Sequence, residues 1–220
     1  MFFFFVGRLF YCDLSGFDGE DVSSMGNVVK LVDNFDSLYA YITNEGRTFW
    51  FRTNMQASKY KASATRFSRH SAVMKMQLPP VGSPMEWDEA ALAAIPKTTV
   101  VPEDSTGVLT EVSAVAGDRL VLTFERDAYV QLEICDLAGG HRKPIEMPSI
   151  GTIEQVSAEK KHDHIFLKFT NFVTPGMIYG GNVEKIGEGE TQDTSVKLEV
   201  FRNTEVPGIN VDNFETKQVR

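Results

Sequence analysis

Short apolar runs broken by polar turns fill this chain, and the clearest of them are apolar on both alternating faces. Thr48–Thr53 (TFWFRT) sets Phe49 and Phe51 against Trp50, and Arg119–Glu125 (RLVLTFE) sets Leu120, Leu122 and Phe124 against Val121. A half-solvated strand alternates apolar with polar, so apolar residues on both faces predict sheets covered on both sides. A third run, Asp163–Thr170 (DHIFLKFT), has the same position relative to its turn. The turns before the three runs are Asn44-Glu45-Gly46-Arg47, Gly117-Asp118 and Glu159-Lys160-Lys161-His162, rich in residues that favour tight reversals.

These runs recur at roughly 45–70 residues, and each belongs to a set of four short strands, the period of a β-propeller blade. The third strands echo one another as well: Leu9–Gly16 reads LFYCDLSG, Leu132–Gly139 reads LEICDLAG, and Met177–Val183 (MIYGGNV) is a looser relative. With strands lettered a to d within a blade, the chain is expected to open mid-blade, with c at Arg8–Leu14 and d at Asn27–Asp33. The next blade is expected at Ser37–Thr43, Thr48–Thr53, Tyr60–Phe67 and Thr98–Val101. Its successor takes Val108–Val115, Arg119–Glu125, Tyr129–Leu137 and Arg142–Met147. The last takes Gly151–Ser157, His164–Thr170, Gly176–Val183 and Ser195–Arg202. The expected fold is all-β, about three and a half four-stranded antiparallel blades of a larger propeller.

Two stretches interrupt this order. Residues 68–97 read as an insertion, within which Ser83-Pro84-Met85-Glu86 forms a capping box ahead of the alanine-rich Trp87–Ile95, predicting one short helix. After Arg202 the breaker pair Pro207-Gly208 precedes Phe214–Val219, which reads as the opening strand of a following domain.

The 220 residues carry 30 acidic and 22 basic side chains, a formal net charge of −8, with 42% apolar residues. No basic cluster interleaved with aromatics offsets that charge, which argues against a nucleic-acid partner. Met1–Val6 (MFFFFV) falls far short of the roughly 20 apolar residues that span a bilayer, and no basic residue precedes it as in a signal peptide. No membrane partner is expected. Cys12 and Cys135 occupy matching places in different repeats, too far apart for a disulfide, and read as reduced, buried thiols of a cytoplasmic protein.

Candidate chemistry is sparse. Val81-Gly82-Ser83-Pro84 lacks the spacing of a Gly-x-Ser-x-Gly nucleophile elbow. His162-Asp163-His164 is the best metal candidate, since alternate residues of an extended segment share a face, but Lys160 and Lys161 beside it oppose a cation. Gly187-Glu188-Gly189-Glu190 is too acidic to cradle phosphate, and His70 and His141 are the other two histidines. Glu103-Asp104 and Asp18-Gly19-Glu20-Asp21 read as loop solubilisers and not as a catalytic pair. No catalytic, cofactor or metal residue is assigned.

Val28–Tyr60, VVKLVDNFDSLYAYITNEGRTFWFRTNMQASKY, resembles the propeller domain of the prolyl oligopeptidase (prolyl endopeptidase) family. The matching motifs are Lys30–Phe35, Thr43–Gly46 and Phe49–Asn54, and further matches fall at Arg8–Leu14, Lys160–Tyr179 and Val206–Val219. The resemblance implies the C-terminal half of a seven-bladed propeller over residues 8–203. It implies that residues 204–220 lead toward an α/β-hydrolase domain holding a Ser–Asp–His triad, with no triad residue in this chain. Met1–Val6 does not match, and residues 1–7 are expected to be a foreign start. The family is cytosolic and cleaves short peptides after proline. This chain would be its substrate-gating part, inert alone, with the hydrolase domain and proline-containing peptides as partners and no cofactor. Two alternatives stand beside this: a free-standing propeller for protein–protein interaction, and a fragment of a relative resembling oligopeptidase B.

Overall fold

The computed structural model describes residues 2–5, 8–12, 19, 28–33, 37–55, 71–78, 94–126, 129–147, 149–172, 176–186 and 193–203. They form fifteen strands and, among the described residues, no helix. The chain divides into two compact units, Met1–Glu103 and Asp104–Arg220.

The first unit holds two sheets. Strands β1 (Phe2–Phe5), β2 (Arg8–Cys12) and β3 (Val28–Val32) make a three-stranded antiparallel sheet. The sequence pattern assigned no element to the opening phenylalanines, but β1 pairs with β2 from Phe2↔Tyr11 to Phe5↔Arg8, so this sheet begins one strand earlier than expected. Strands β4 (Tyr39–Glu45), β5 (Thr48–Thr53), β6 (Ala72–Gln77) and β7 (Lys97–Val101) form a four-stranded meander. The third strand was expected at Tyr60–Phe67, which lies outside the described residues. β6 fills that position from within the expected insertion, pairing with β5 from Thr48↔Gln77 to Thr53↔Ala72. The helix expected at Trp87–Ile95 also falls outside the described residues, apart from its last two positions.

The second unit holds two complete meanders. One is β8 (Val108–Val115), β9 (Arg119–Arg126), β10 (Tyr129–Asp136) and β11 (Lys143–Ile145). The other is β12 (Thr152–Ala158), β13 (His164–Thr170), β14 (Met177–Ile186) and β15 (Asp193–Asn203). Within both sheets each strand pairs antiparallel with its sequence neighbour. β11 is shorter than the expected Arg142–Met147, and Pro144 within it has no N–H to give a ladder. Three four-stranded antiparallel meanders and one three-stranded sheet match the four-strand repeat read from the sequence.

Each unit has its own core between its two sheets. In the first, Leu9, Val29 and Leu31 meet Tyr39, Phe49, Phe51 and Met76, with Tyr11 edge-on to Phe49 at 6.1 Å. In the second, Val121, Leu132, Ile134 and Ile145 meet Val156, Ile165, Leu167, Phe169, Tyr179 and Val183. The b strands explain the two-faced pattern: every residue of β9 from Arg119 to Phe124 is buried, and β5 buries both Phe49 and Trp50. β13 differs. Ile165, Leu167 and Phe169 point into the core while His164 and Lys168 are exposed. The outer face of its sheet leaves Phe201 open, with Phe166 edge-on to it at 5.2 Å.

Candidate functional site

The two ends of the second unit's blades differ in chemistry. At one end lie the turns after β8, β10 and β12 and the start of β15, and it is polar. Arg119, almost fully buried at the start of β9, donates from Nε to Thr194 Oγ1 on β15 at 2.8 Å and pairs with Asp118 at 2.7 Å. Asp118 also accepts from Lys185 Nζ at 2.5 Å, and Lys143 pairs with Asp193. The turn after β8 runs through Ala116 (φ 51°) and Gly117 (φ 82°), which aims both amides at the neighbouring blade. Ala116 N donates to His162 O and Gly117 N to Lys160 O, each at 2.7 Å. These links latch one blade to the next.

The metal candidate sits in this polar end. His164 Nδ1 pairs with Asp163, while His162 Nε2 lies 3.8 Å from Glu159, and both rings are more than half exposed. Among the described residues no three His, Cys, Asp or Glu side chains converge on one point. His141, at φ 51°, hydrogen-bonds through Nδ1 with Asp136 at 2.8 Å. His70, Ser83 and the Gly187–Glu190 turn lie outside the described residues, as does Asp18-Gly19-Glu20-Asp21 apart from Gly19.

The opposite end, where β9 and β13 finish and β12 begins, exposes apolar side chains beside a charged cluster. Phe172 is fully exposed and Ile150 is 40% exposed. Asn171 Nδ2 donates to Ser149 Oγ at 3.1 Å and ties the two loops together. Beside them a cavity of about 420 Å³ is lined by Val130, Leu132, Ile145, Met147 and Ile150, with Tyr129, Gln131 and Glu133 on its polar side. Gly151 is needed here, because a Cβ would stand 2.3 Å from the Phe169 ring.

Arg126, at the end of β9, is the hub of this end. Its guanidinium donates to Asp104 Oδ2 at 2.5 Å, Gln131 Oε1 at 2.6 Å and Glu133 Oε1 at 2.9 Å. It also lies 4.3 Å above the centre of the Phe124 ring. Arg142 Nε donates to the second oxygen of Glu133 at 2.8 Å. Asp104 Oδ1 accepts from Thr106 N and Thr106 Oγ1, each at 2.7 Å, and from Gly107 N at 3.1 Å. The reading of Asp104 as a solvated loop charge is therefore corrected: its side chain is only 19% exposed and fully engaged. Asp-Ser-Thr-Gly is an Asx-turn signature, and that was the available signal. Its partner, 22 residues away, carried none.

Burial alone would push the Asp104 carboxyl up, but the hydrogen bonds from Arg126 and Thr106 and the charge of Arg126 hold it well below the usual range. Asp118 is likewise lowered, with Lys185 and Arg119 outweighing burial. So is Asp136, through His141 and the amides of Gly140 and Ala138. Such a carboxyl stabilises the fold at every pH above its unfolded value of about 3.9, and the contribution drains as pH falls through the lower folded value. Acid unfolding is thus expected to begin below about pH 4. The stability difference between the parent and Asp104→Asn, followed by thermal melts, should be flat at neutral pH and shrink toward zero in that acid window. A difference that widens with acid would contradict the assignment. Cys135 is buried with its thiol pushed up to about 12, by burial first and then by the charge of Asp136, and it is not a nucleophile at neutral pH.

The family described as prolyl oligopeptidase, N-terminal β-propeller domain, matches residues 6–191. The prolyl endopeptidase of Dictyostelium discoideum is 26% identical over 193 residues, covering 87% of this chain and 22% of its own length. Prolyl oligopeptidase ophP of Omphalotus olearius is 29% identical over 202 residues, with 91% and 23% covered. Among solved structures, apo prolyl oligopeptidase B from Galerina marginata superposes with a TM-score of 0.70 at 20% identity, over 96% of this chain and 25% of that one. The same enzyme bound to a 35mer hydrolysis and macrocyclization substrate gives 0.69 at 22% identity, a likeness of fold. The chain spans under a quarter of the length of these curated relatives.

Proposed function

Because the chain belongs to the prolyl oligopeptidase N-terminal β-propeller family, we propose that it is the substrate-gating part of a serine peptidase that cleaves short peptides after proline. The observation that carries this reading is the family match along residues 6–191. The nucleophile, base and oxyanion hole belong to the α/β-hydrolase domain of that family, so these residues by themselves hydrolyse nothing. The end of the second unit where β9 and β13 finish is the surface that meets the hydrolase domain. Phe172 and Ile150 are its exposed anchors. Two buried cysteines, neither in a disulfide, suit a reducing, cytosolic setting.

The test is a chimera in which residues 8–203 replace the matched segment of the Dictyostelium prolyl endopeptidase. It is expected to cleave a fluorogenic peptide after proline, while the 220-residue chain alone leaves that peptide intact. A folded chimera without activity would overturn the proposal. A monodisperse, cooperatively melting monomer of the chain, together with an inactive chimera, would favour a free-standing interaction propeller.

A further inference from the structure

The three four-stranded meanders each end in an outer strand, and two of those strands are poor templates for a further one. β7 has five residues between Pro96 and Pro102, and β11 has three, one of them Pro144. Short edges interrupted by proline discourage strand addition. β15 has neither device. It runs eleven residues from Asp193 to Asn203, contains no proline, and pairs with β14 along nearly all of its length. Among the described residues no strand pairs with its other edge. Val200 and Phe201 near its end are 54% and 67% exposed, the apolar residues of this strand that the unit leaves open.

The side chains along this edge carry a symmetry. Val196-Lys197-Leu198-Glu199-Val200 reads the same in either direction about Leu198, except that the two charges exchange sign. Lys197 and Glu199 are exposed on the outer face of the sheet with Phe201. Val196 and Leu198 turn inward against the core, and Val200 continues their row. Two such strands running antiparallel about a two-fold axis at Leu198 set each Lys197 opposite Glu199 of the other copy. Each Val200 then meets Val196 of the other copy, and the Phe201 ring meets the small Ser195. A register slipped by two residues would instead oppose lysine to lysine or glutamate to glutamate, which is unfavourable.

We propose that the free edge of β15 is a self-association surface, on which a second copy of this chain adds its own β15 antiparallel and two-fold symmetric about Leu198. The contact is isologous, so it closes at two copies and covers both free edges. Backbone pairing joins the two meanders into one continuous sheet, and the lysine–glutamate pairs fix its register. It needs only the second unit and is independent of the peptidase reading.

Sedimentation velocity on the 220-residue chain over a range of concentrations tests this. The chain is expected to pass from monomer to dimer. Lys197→Glu and Glu199→Lys each create two like-charge pairs, and each should raise the dimer dissociation constant about tenfold or more. Mixed in equal amounts, the two variants should associate as the parent does, because each then meets the opposite charge. Both side chains are exposed, so the core is untouched. As a second reading, Leu198→Cys should link two copies through a disulfide under mild oxidation, whereas Ser195→Cys, which faces Phe201 of the other copy, should not. A chain monomeric at every concentration would overturn the pairing and leave the edge to an occupant other than a second copy. A dimer indifferent to charge reversal, variants that do not recover on mixing, or Ser195→Cys linking as readily as Leu198→Cys would overturn it too, placing self-association elsewhere on the chain.

Discussion

Phe169→Ala is expected to cost the second unit about 3–5 kcal/mol, the range for emptying a fully buried phenylalanine site. Phe169 sits on the inward face of β13 between Leu167 and the Tyr179 ring, which meets it edge-on at 5.9 Å. It also covers Gly151, whose lack of a side chain makes room for the ring. Truncation removes the filling between two sheets whose other core members are held by their ladders and cannot collapse into the gap. Phe169→Leu, which keeps most of the volume, should lose only about 1 kcal/mol. Urea unfolding followed by far-ultraviolet circular dichroism reads both. Equal losses for alanine and leucine would mean that ring volume is not what joins these sheets. The edge-on contact with Tyr179 would then matter more than the space the ring fills.

Arg119→Met should be the second most damaging change, at about 2–3 kcal/mol. The cost comes mainly from Thr194, which is 1% exposed and would keep a hydroxyl with its donor partner gone. The loss of Asp118 as a partner matters less, because that carboxylate is half exposed and keeps Lys185, and exposed pairs contribute only about 0–1 kcal/mol. Thr194→Val alone removes the acceptor that Nε uses. The double variant removes both polar partners, and should be less damaging than the sum of the two single changes. A double variant that is strictly additive, or an Arg119→Met loss below about 0.5 kcal/mol, would show that the blades are latched elsewhere. The backbone bonds from Ala116 and Gly117 to the turn before β13 are the alternative latch.

The strands whose residues carry their own pattern were legible. β5, β8 and β13 occupy the residues expected of them, because β-branched and aromatic runs between polar turns leave little choice of conformation. β6 was not. Ala72–Gln77 (AVMKMQ) carries two methionines and an alanine, residues with no strong preference for a strand, and it is selected by its ladder to β5. The opening phenylalanines form a strand through pairing with β2, a partner that the run itself does not specify. The family was readable because its motifs are contiguous words of sequence, and the match over residues 6–191 agrees with them.

The loop-end hub was harder to see for a different reason. Asp104, Arg126, Glu133 and Arg142 are ordinary surface residue types spread along the chain, and composition treats each as a solvated charge. What distinguishes them is pairing: β8 starts where β9 ends, which brings Asp104 to Arg126, while Glu133 lies within β10 and meets Arg142 across the pairing of β10 with β11. The same holds for Arg119 and Thr194, which lie 75 residues apart. Local pattern determined the strand chemistry, the four-strand repeat and the family, because backbone conformation and side-chain alternation are set within a few neighbouring residues. Only the tertiary structure decided which charges are buried, which end of the blades exposes apolar side chains and where the segment leading into β8 is fastened. Those properties depend on distances between side chains that ladder register brings together and that spacing along the chain does not encode.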